Sequence, residues 1–235
     1  MKFKRHCIIS LFYFVFFISS AMADTDSFAK DSAIAQMIVE GARKEIANET
    51  EYNTTMLSRY FGTHYRDGIR YEHNVYPNGD VNPKEGVCTD LVIRALRKAG
   101  YDLQKIVHED IVENKEHYGI ETVDKYIDHR RVWVLLKYFN RNYTKLKMDT
   151  DDSCKNWRAG DIVIWDIGSR DHFHIGIISD KRSEDGLRPL VIHNMSYFPG
   201  VFTGKTNEQD VLNGVKISGV DIYQWKILGH FRITE

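Results

Sequence analysis

Cysteine is scarce in this chain, three in 235 residues, which excludes a small scaffold built on disulfides. Four prolines and 16 glycines leave no room for a long flexible linker. No segment repeats at a period of roughly 20–50 residues, so collagenous, disordered and solenoid classes drop out and one domain is expected. Only one long apolar run is present, from Cys7 to Ile18, and it falls short of the ~20 residues of a bilayer-spanning helix. Lys2, Lys4 and Arg5 precede it and Ala21-Met22-Ala23 follows, the layout of a secretory signal peptide with an A-x-A cleavage site over residues 1–23. The expectation is a periplasmic or secreted protein that begins near Asp24 and has no stable membrane insertion after cleavage. A basic excess is lacking as well. Three of the 32 basic residues leave with the leader, so 29 face 33 acidic ones and the net charge becomes −4, which argues against a nucleic-acid partner.

What is there reads as an ordinary globular domain, 43% hydrophobic and 28% charged, over residues 24–235. Phe28, Ile34, Ile38, Ala42 and Ile46 recur at helical spacing over 28–47. The stretch from Tyr52 to Pro83, rich in tyrosine, reads as loop and short extended pieces. Leu91, Val92, Ala95, Leu96 and Ala99 mark a helix from Cys88, with Arg94, Arg97 and Lys98 opposite and Gly100 as its stop. Two more helices are predicted near Leu103–Glu113 and Asp128–Asn140. After Gly160 come short β-rich runs at Asp161–Trp165, His174–Ser179, Leu190–Asn194 and Leu228–Ile233. Helices followed by strands is the α+β order, here N-terminal helices packed on a C-terminal antiparallel sheet.

Three residues could carry chemistry together. Cys88 sits where an irregular loop becomes the first turn of a helix, and the free amide groups and helix dipole there favour a thiolate over a thiol. The bland reading is a buried inert thiol or a disulfide with Cys154. His174 stands at the entrance of an apolar strand, on the same face as Gly176 and Ile178; with His172 it could instead form a weak His-x-His metal pair. His193 lies on the next apolar run, and antiparallel pairing would bring it close to His174. A third polar group that orients the base is what Cys–His catalysis requires. Asn194 is the rival for that place but points to the opposite face.

The stretches GVCTDLVIRALRKAG, DLQKIVHED, YIDHRR, AGDIVIWD, HIGIISD and VIHN resemble a bacterial family called domain of unknown function 1287. The resemblance runs from about Ile34 to the C-terminus. That family is similar to the NlpC-type papain-like cysteine peptidases of the cell wall, which have a cysteine at a helix start, a histidine opening the HIGI strand and a polar residue on the next strand. The roles fall on Cys88, His174 and His193. The resemblance implies a papain-like fold and an exported thiol peptidase that cuts an amide bond of peptidoglycan, within the stem peptide, with no metal or organic cofactor.

The sequence departs from those peptidases around the nucleophile, where Val87-Cys88-Thr89-Asp90 replaces their D-C-S-G pattern and leaves substrate choice open. Their upstream tyrosine is similar to Tyr76 or Tyr71, whose phenol could polarise the scissile carbonyl. Asp90, His129 and Arg130 are further candidates for substrate contact, since arginine's planar fork matches carboxylates. The plainer reading of His108-Glu109-Asp110 and Asp128-His129-Arg130-Arg131 is a structural network tying the middle helices to the sheet; a metal site from His108, Asp110 and His129 matches no motif. Three rival functions stay open. One is a non-catalytic wall- or peptide-binding module with a Cys88–Cys154 bridge. The others are a thiol amidase or acyltransferase acting on another substrate, and an antibacterial toxin with an immunity partner.

Overall fold

The computed structural model describes residues 30–54, 75–151, 154–168, 173–217 and 220–234, with backbone pairing also at 65–66 and 69–70. The leader 1–23, Tyr71 and His172 lie outside the described residues.

Helix α1 spans 30–47. A short strand β1 (Glu51–Tyr52) pairs in parallel with β4 (Glu85–Gly86), and the small pair β2 (Tyr65–Arg66) and β3 (Ile69–Arg70) lies between them in sequence. Helices α2 (Cys88–Lys98), α3 (Leu103–Glu113), α4 (Lys115–Tyr118) and α5 (Val132–Asn142) follow, with a 3₁₀ turn at Asp128–Arg130. The remainder is β: β5 (Ile162–Asp166), β6 (Phe173–Arg182), β7 (Pro189–Asn194), β8 (Thr206–Gln209), β9 (Gly214–Ile217), β10 (Val220–Gln224) and β11 (Lys226–Phe231). Five of these form one antiparallel sheet in the order β11-β5-β6-β7-β8, and β9 and β10 form a hairpin outside it. The architecture is α+β, helices first and an antiparallel sheet afterwards. Among the described residues no helix is long and apolar enough to cross a membrane.

Strand alternation divides the core in two. Ile162 and Ile164 of β5, Ile175 and Ile177 of β6 and Ile192 of β7 face the helices and pack with Leu91, Leu96, Val107, Leu135 and Phe139. Each such side chain, removed from water, contributes about 1.5–3 kcal/mol. Val163, Trp165, Ile178 and Val191 point the other way, into a second cluster with Phe202, Leu212 and Trp225. Among the described residues no regular helix covers this second face; the chain after β7 and the β9–β10 hairpin do.

The helix expected to start at Asp128 instead opens as the 3₁₀ turn, and α5 begins at Val132. The aspartate explains the offset: Asp128 accepts from the backbone N–H of Asp124 at 2.7 Å and pairs with Arg131 at 3.0 Å, which caps a turn of its own before the helix. Strands β8, β9 and β10 are not among those expected: TNEQ is polar throughout, and VDIYQ alternates but is exposed along its length.

Candidate active site

The loop before Cys88 is held by the helix it leads into. Arg94 of α2 is almost fully buried and donates to the carbonyls of Val81, Asn82 and Glu85, while pairing with Glu45 at 2.7 Å and with Asp80. Arg97 reaches the Gly79 carbonyl at 2.8 Å and Asp80 at 3.0 Å. Arg94 and Arg97 of the polar stripe of α2 therefore clamp residues 79–86, while Lys98 faces water. Gly79 has no room for a Cβ, which would stand 2.4 Å from the Val75 carbonyl, so the loop passes too close to itself for any side chain there.

At the start of α2, the Asp90 carboxylate accepts from the Val87 N–H at 2.8 Å, closing the first turn on itself. The same carboxylate accepts from Arg130 at 2.5 Å, both side chains being buried. Asp90 and Arg130 thus form an internal brace behind the helix that begins at Cys88. His129 is buried beside them; burial and the charges of Arg130 and Arg97 lower its pKa to about 3, so its ring is neutral. Tyr76 also departs from its expected place. It packs edge-on against His108 of α3 with Lys125 over its ring, and it is not in the wall of the cavity that holds Cys88. The tyrosines that do line that cavity are Tyr52, of the β1–β4 pair, and Tyr223 of β10.

The cavity has a volume of about 280 Å³ and contains Cys88 and His174 in its wall, with Tyr52, Phe173, Phe202 and Trp225 around them. The two reactive groups come from opposite faces of the sheet. Cys88 belongs to the helix-side core, whereas His174 stacks on Trp165 and meets Trp225 edge-on in the aromatic cluster. They share a cavity because both stand at the end of the sheet where β6 begins. The backbone N–H of Ile175, one residue after His174, is directed at the Cys88 sulfur.

His174 Nε2 lies 2.9 Å from His193 Nδ1, and His193 Nε2 lies 3.1 Å from Gln209 Oε1. Gly176 permits this approach: a Cβ there would stand 2.7 Å from Val191 Cγ1 and 3.4 Å from His193 Cβ. Asn194 faces the other way, its amide reaching the Gly86 carbonyl at 3.5 Å.

Burial dominates the electrostatics. It pushes the Cys88 thiol up to about 12, against the pull of the N–H groups of Ile175, Thr89 and Cys88 itself, and Asp90 adds to the rise. The thiolate expected from the helix start is thus not the resting form: a helix terminus favours the anion by about 1 kcal/mol, less than the desolvation it must offset. Burial also holds His174 well below the usual histidine range, with His193 adding to the effect, and brings His193 to about 4. The resting pair is neutral thiol and neutral imidazole.

Cys88 and Cys154 are both free. Cys154 sits in the second core cluster, its thiol donating to the Thr150 carbonyl at 3.4 Å, so the bridge required by one binding-module reading is not formed. Among the described residues no group of three His, Cys, Asp or Glu side chains is arranged to hold a metal ion. Asp110 is engaged by Tyr118, Asn114 and Arg141 instead.

The class defined by these features is an α+β domain whose sheet end holds a buried cysteine and a pair of hydrogen-bonded histidines in one cavity. The chain belongs to the family described as Domain of unknown function (DUF1287), which matches residues 39–233. It is similar to the Uncharacterized protein YijF of Escherichia coli (strain K12), with 36% identity over 199 residues that cover 83% of this chain and 80% of that one. No solved structure matches.

Proposed function

We propose that this protein is an exported cysteine hydrolase of the papain-like NlpC type that cuts an amide bond of peptidoglycan, within the stem peptide. The observation that carries the reading is the single cavity into which Cys88, at a helix start, and His174, braced by His193, both open. Because thiol and imidazole rest neutral, activation is by general base rather than from a standing ion pair. His174 takes the thiol proton as the sulfur bonds to the carbonyl carbon. The Cys88 N–H, at the helix start, would stabilise the oxyanion, and Tyr52 lines the same cavity. His174 then returns the proton to the leaving nitrogen as the C–N bond breaks. Water, deprotonated by His174, cleaves the thioester and restores the thiol.

The walls bear on the substrate. Burying a charge against Phe173, Phe202 and Trp225 without a partner costs several kcal/mol, so the group seated beside the sulfur is uncharged; in a stem peptide an alanyl residue meets that condition. The same walls favour a second reading, a thiol amidase or acyltransferase acting on an apolar acyl group.

Digestion of purified peptidoglycan, followed by fragment analysis, tests the first reading. Wild type should release a fragment that Cys88→Ala does not, and the absence of any such fragment removes peptidoglycan as the substrate. Acylation of Cys88 by p-nitrophenyl esters, followed by mass spectrometry, tests the second. Apolar acyl groups should react about tenfold faster or more than succinyl, and equal rates would count against an apolar acyl site.

A further inference from the structure

We propose that Gln209 determines, through two imidazoles in series, that Nδ1 is the proton-accepting nitrogen of His174. The Val201 carbonyl can only accept, and Gln209 Nε2 lies 2.9 Å from it, so the amide nitrogen must face Val201 and the amide oxygen must face His193. That oxygen, 3.1 Å from His193 Nε2, also only accepts, so His193 Nε2 carries the ring proton. His193 is buried and neutral, and its single ring proton is now placed; Nδ1 is therefore a lone pair. A lone pair 2.9 Å from His174 Nε2 requires that nitrogen to be the donor. His174, neutral too, is left with Nδ1 unprotonated.

The sheet makes the first link possible. On β8, Gln209 stands opposite Val191, so its long side chain reaches the diagonal neighbour His193 on the same face. Gln209 touches neither Cys88 nor the cavity wall; it is a positioning residue that acts through His193. The inference deepens the hydrolase reading and rests on it for its catalytic meaning. The thiol proton passes to His174 Nδ1 as the S–C bond forms, the imidazolium keeps its Nε2–H on His193, and the Nδ1 proton leaves with the amine as the C–N bond breaks. With the tautomers reversed, His174 would present an N–H to the thiol and could not act as a base.

Long-range ¹H–¹⁵N spectra of the ¹⁵N-histidine-labelled protein test the inference without any substrate. Both His174 and His193 should show the Nε2–H tautomer. Gln209→Leu, which removes the acceptor, should give mixed or reversed tautomers and slow iodoacetamide alkylation of Cys88 at pH 7 about tenfold, less than the roughly 10²–10⁴-fold of losing a general base outright, since the imidazole itself stays. Gln209→Glu keeps an acceptor oxygen and should restore the Nε2–H tautomers. An Nδ1–H signal from either ring in the wild type overturns the inference, whether or not the leucine variant folds, and so do wild-type tautomers in a folded leucine variant. The two readings fail separately. The stated tautomers without release of any peptidoglycan fragment would remove the substrate and leave the proton order intact, whereas fragment release with reversed tautomers would remove only the role of Gln209.

Discussion

The two faces of the sheet are buried by different means. The helix side is aliphatic, Ile162, Ile164, Ile175, Ile177 and Ile192 against α2, α3 and α5. The other side is aromatic and imidazole-bearing, with Trp165, His174, His193 and Trp225 covered by loops and a hairpin. Aliphatic packing under helices offers shape and burial but no polar group. Rings under a less regular cover can be buried while keeping nitrogens for one another. The contrast gives the aliphatic packing chiefly to one face and the proposed chemistry to the other, with Cys88 standing at the end of the sheet where they meet.

The sharpest way to break the contrast is His174→Ala, which should lower hydrolysis by about 10³-fold or more while leaving a folded protein; fragment release and circular dichroism measured together decide it. Ile177→Ala, three residues further along the same strand and on the opposite face, should do the reverse. It should cost about 2–5 kcal/mol in urea unfolding and leave turnover per folded molecule within about twofold.

Acidification tests both faces at once. His174, His193 and His129 are harder to protonate folded than unfolded, so acid favours the unfolded chain. The stability they leave intact is full above about pH 6.5 and falls as pH drops toward about 4 and about 3, by up to about 1.4 kcal/mol per pH unit for each ring. Unfolding midpoints measured from pH 7 to pH 4 should decline accordingly, with a shallower decline in His129→Gln.

Gly176→Ala should cost about 1–3 kcal/mol, since its Cβ meets Val191 Cγ1 and the Ile192 carbonyl, and it should lower activity by forcing β6 from β7 where the two histidines touch. The smallest effect is expected from Cys154→Ala, a loss of about 1 kcal/mol with unchanged fragment release. A large loss of activity there would mean that the second thiol takes part after all.

Much of the frame was legible in the sequence because it rests on local periodicity. Spacing marks α2 from Cys88, and the apolar runs mark β5 and β7 to within a residue, while β6 runs on three residues past the expected Ser179 to Arg182. Antiparallel pairing of two adjacent runs was enough to bring His174 and His193 together, and alternation turned Asn194 away. What escaped depends on contacts distant in sequence. Tyr52 reaches the cavity through a two-residue parallel pair with Glu85–Gly86, a signal too short to read. Gln209 lies on a polar strand defined only by its partner, and Trp225 is delivered by a hairpin that looks like loop. The thiolate expectation failed for a different reason: a helix terminus is visible in sequence, whereas the burial that outweighs it is not.

The Asp90–Arg130 pair has an evolutionary consequence. Removing Arg130 leaves the Asp90 charge in the interior at a cost of about 3–5 kcal/mol, and an apolar residue at 90 would also take the acceptor from the Val87 N–H. Positions 90 and 130, forty residues apart in the chain, are therefore expected to drift as a couple, and related sequences should keep acid and guanidinium together or lose them together.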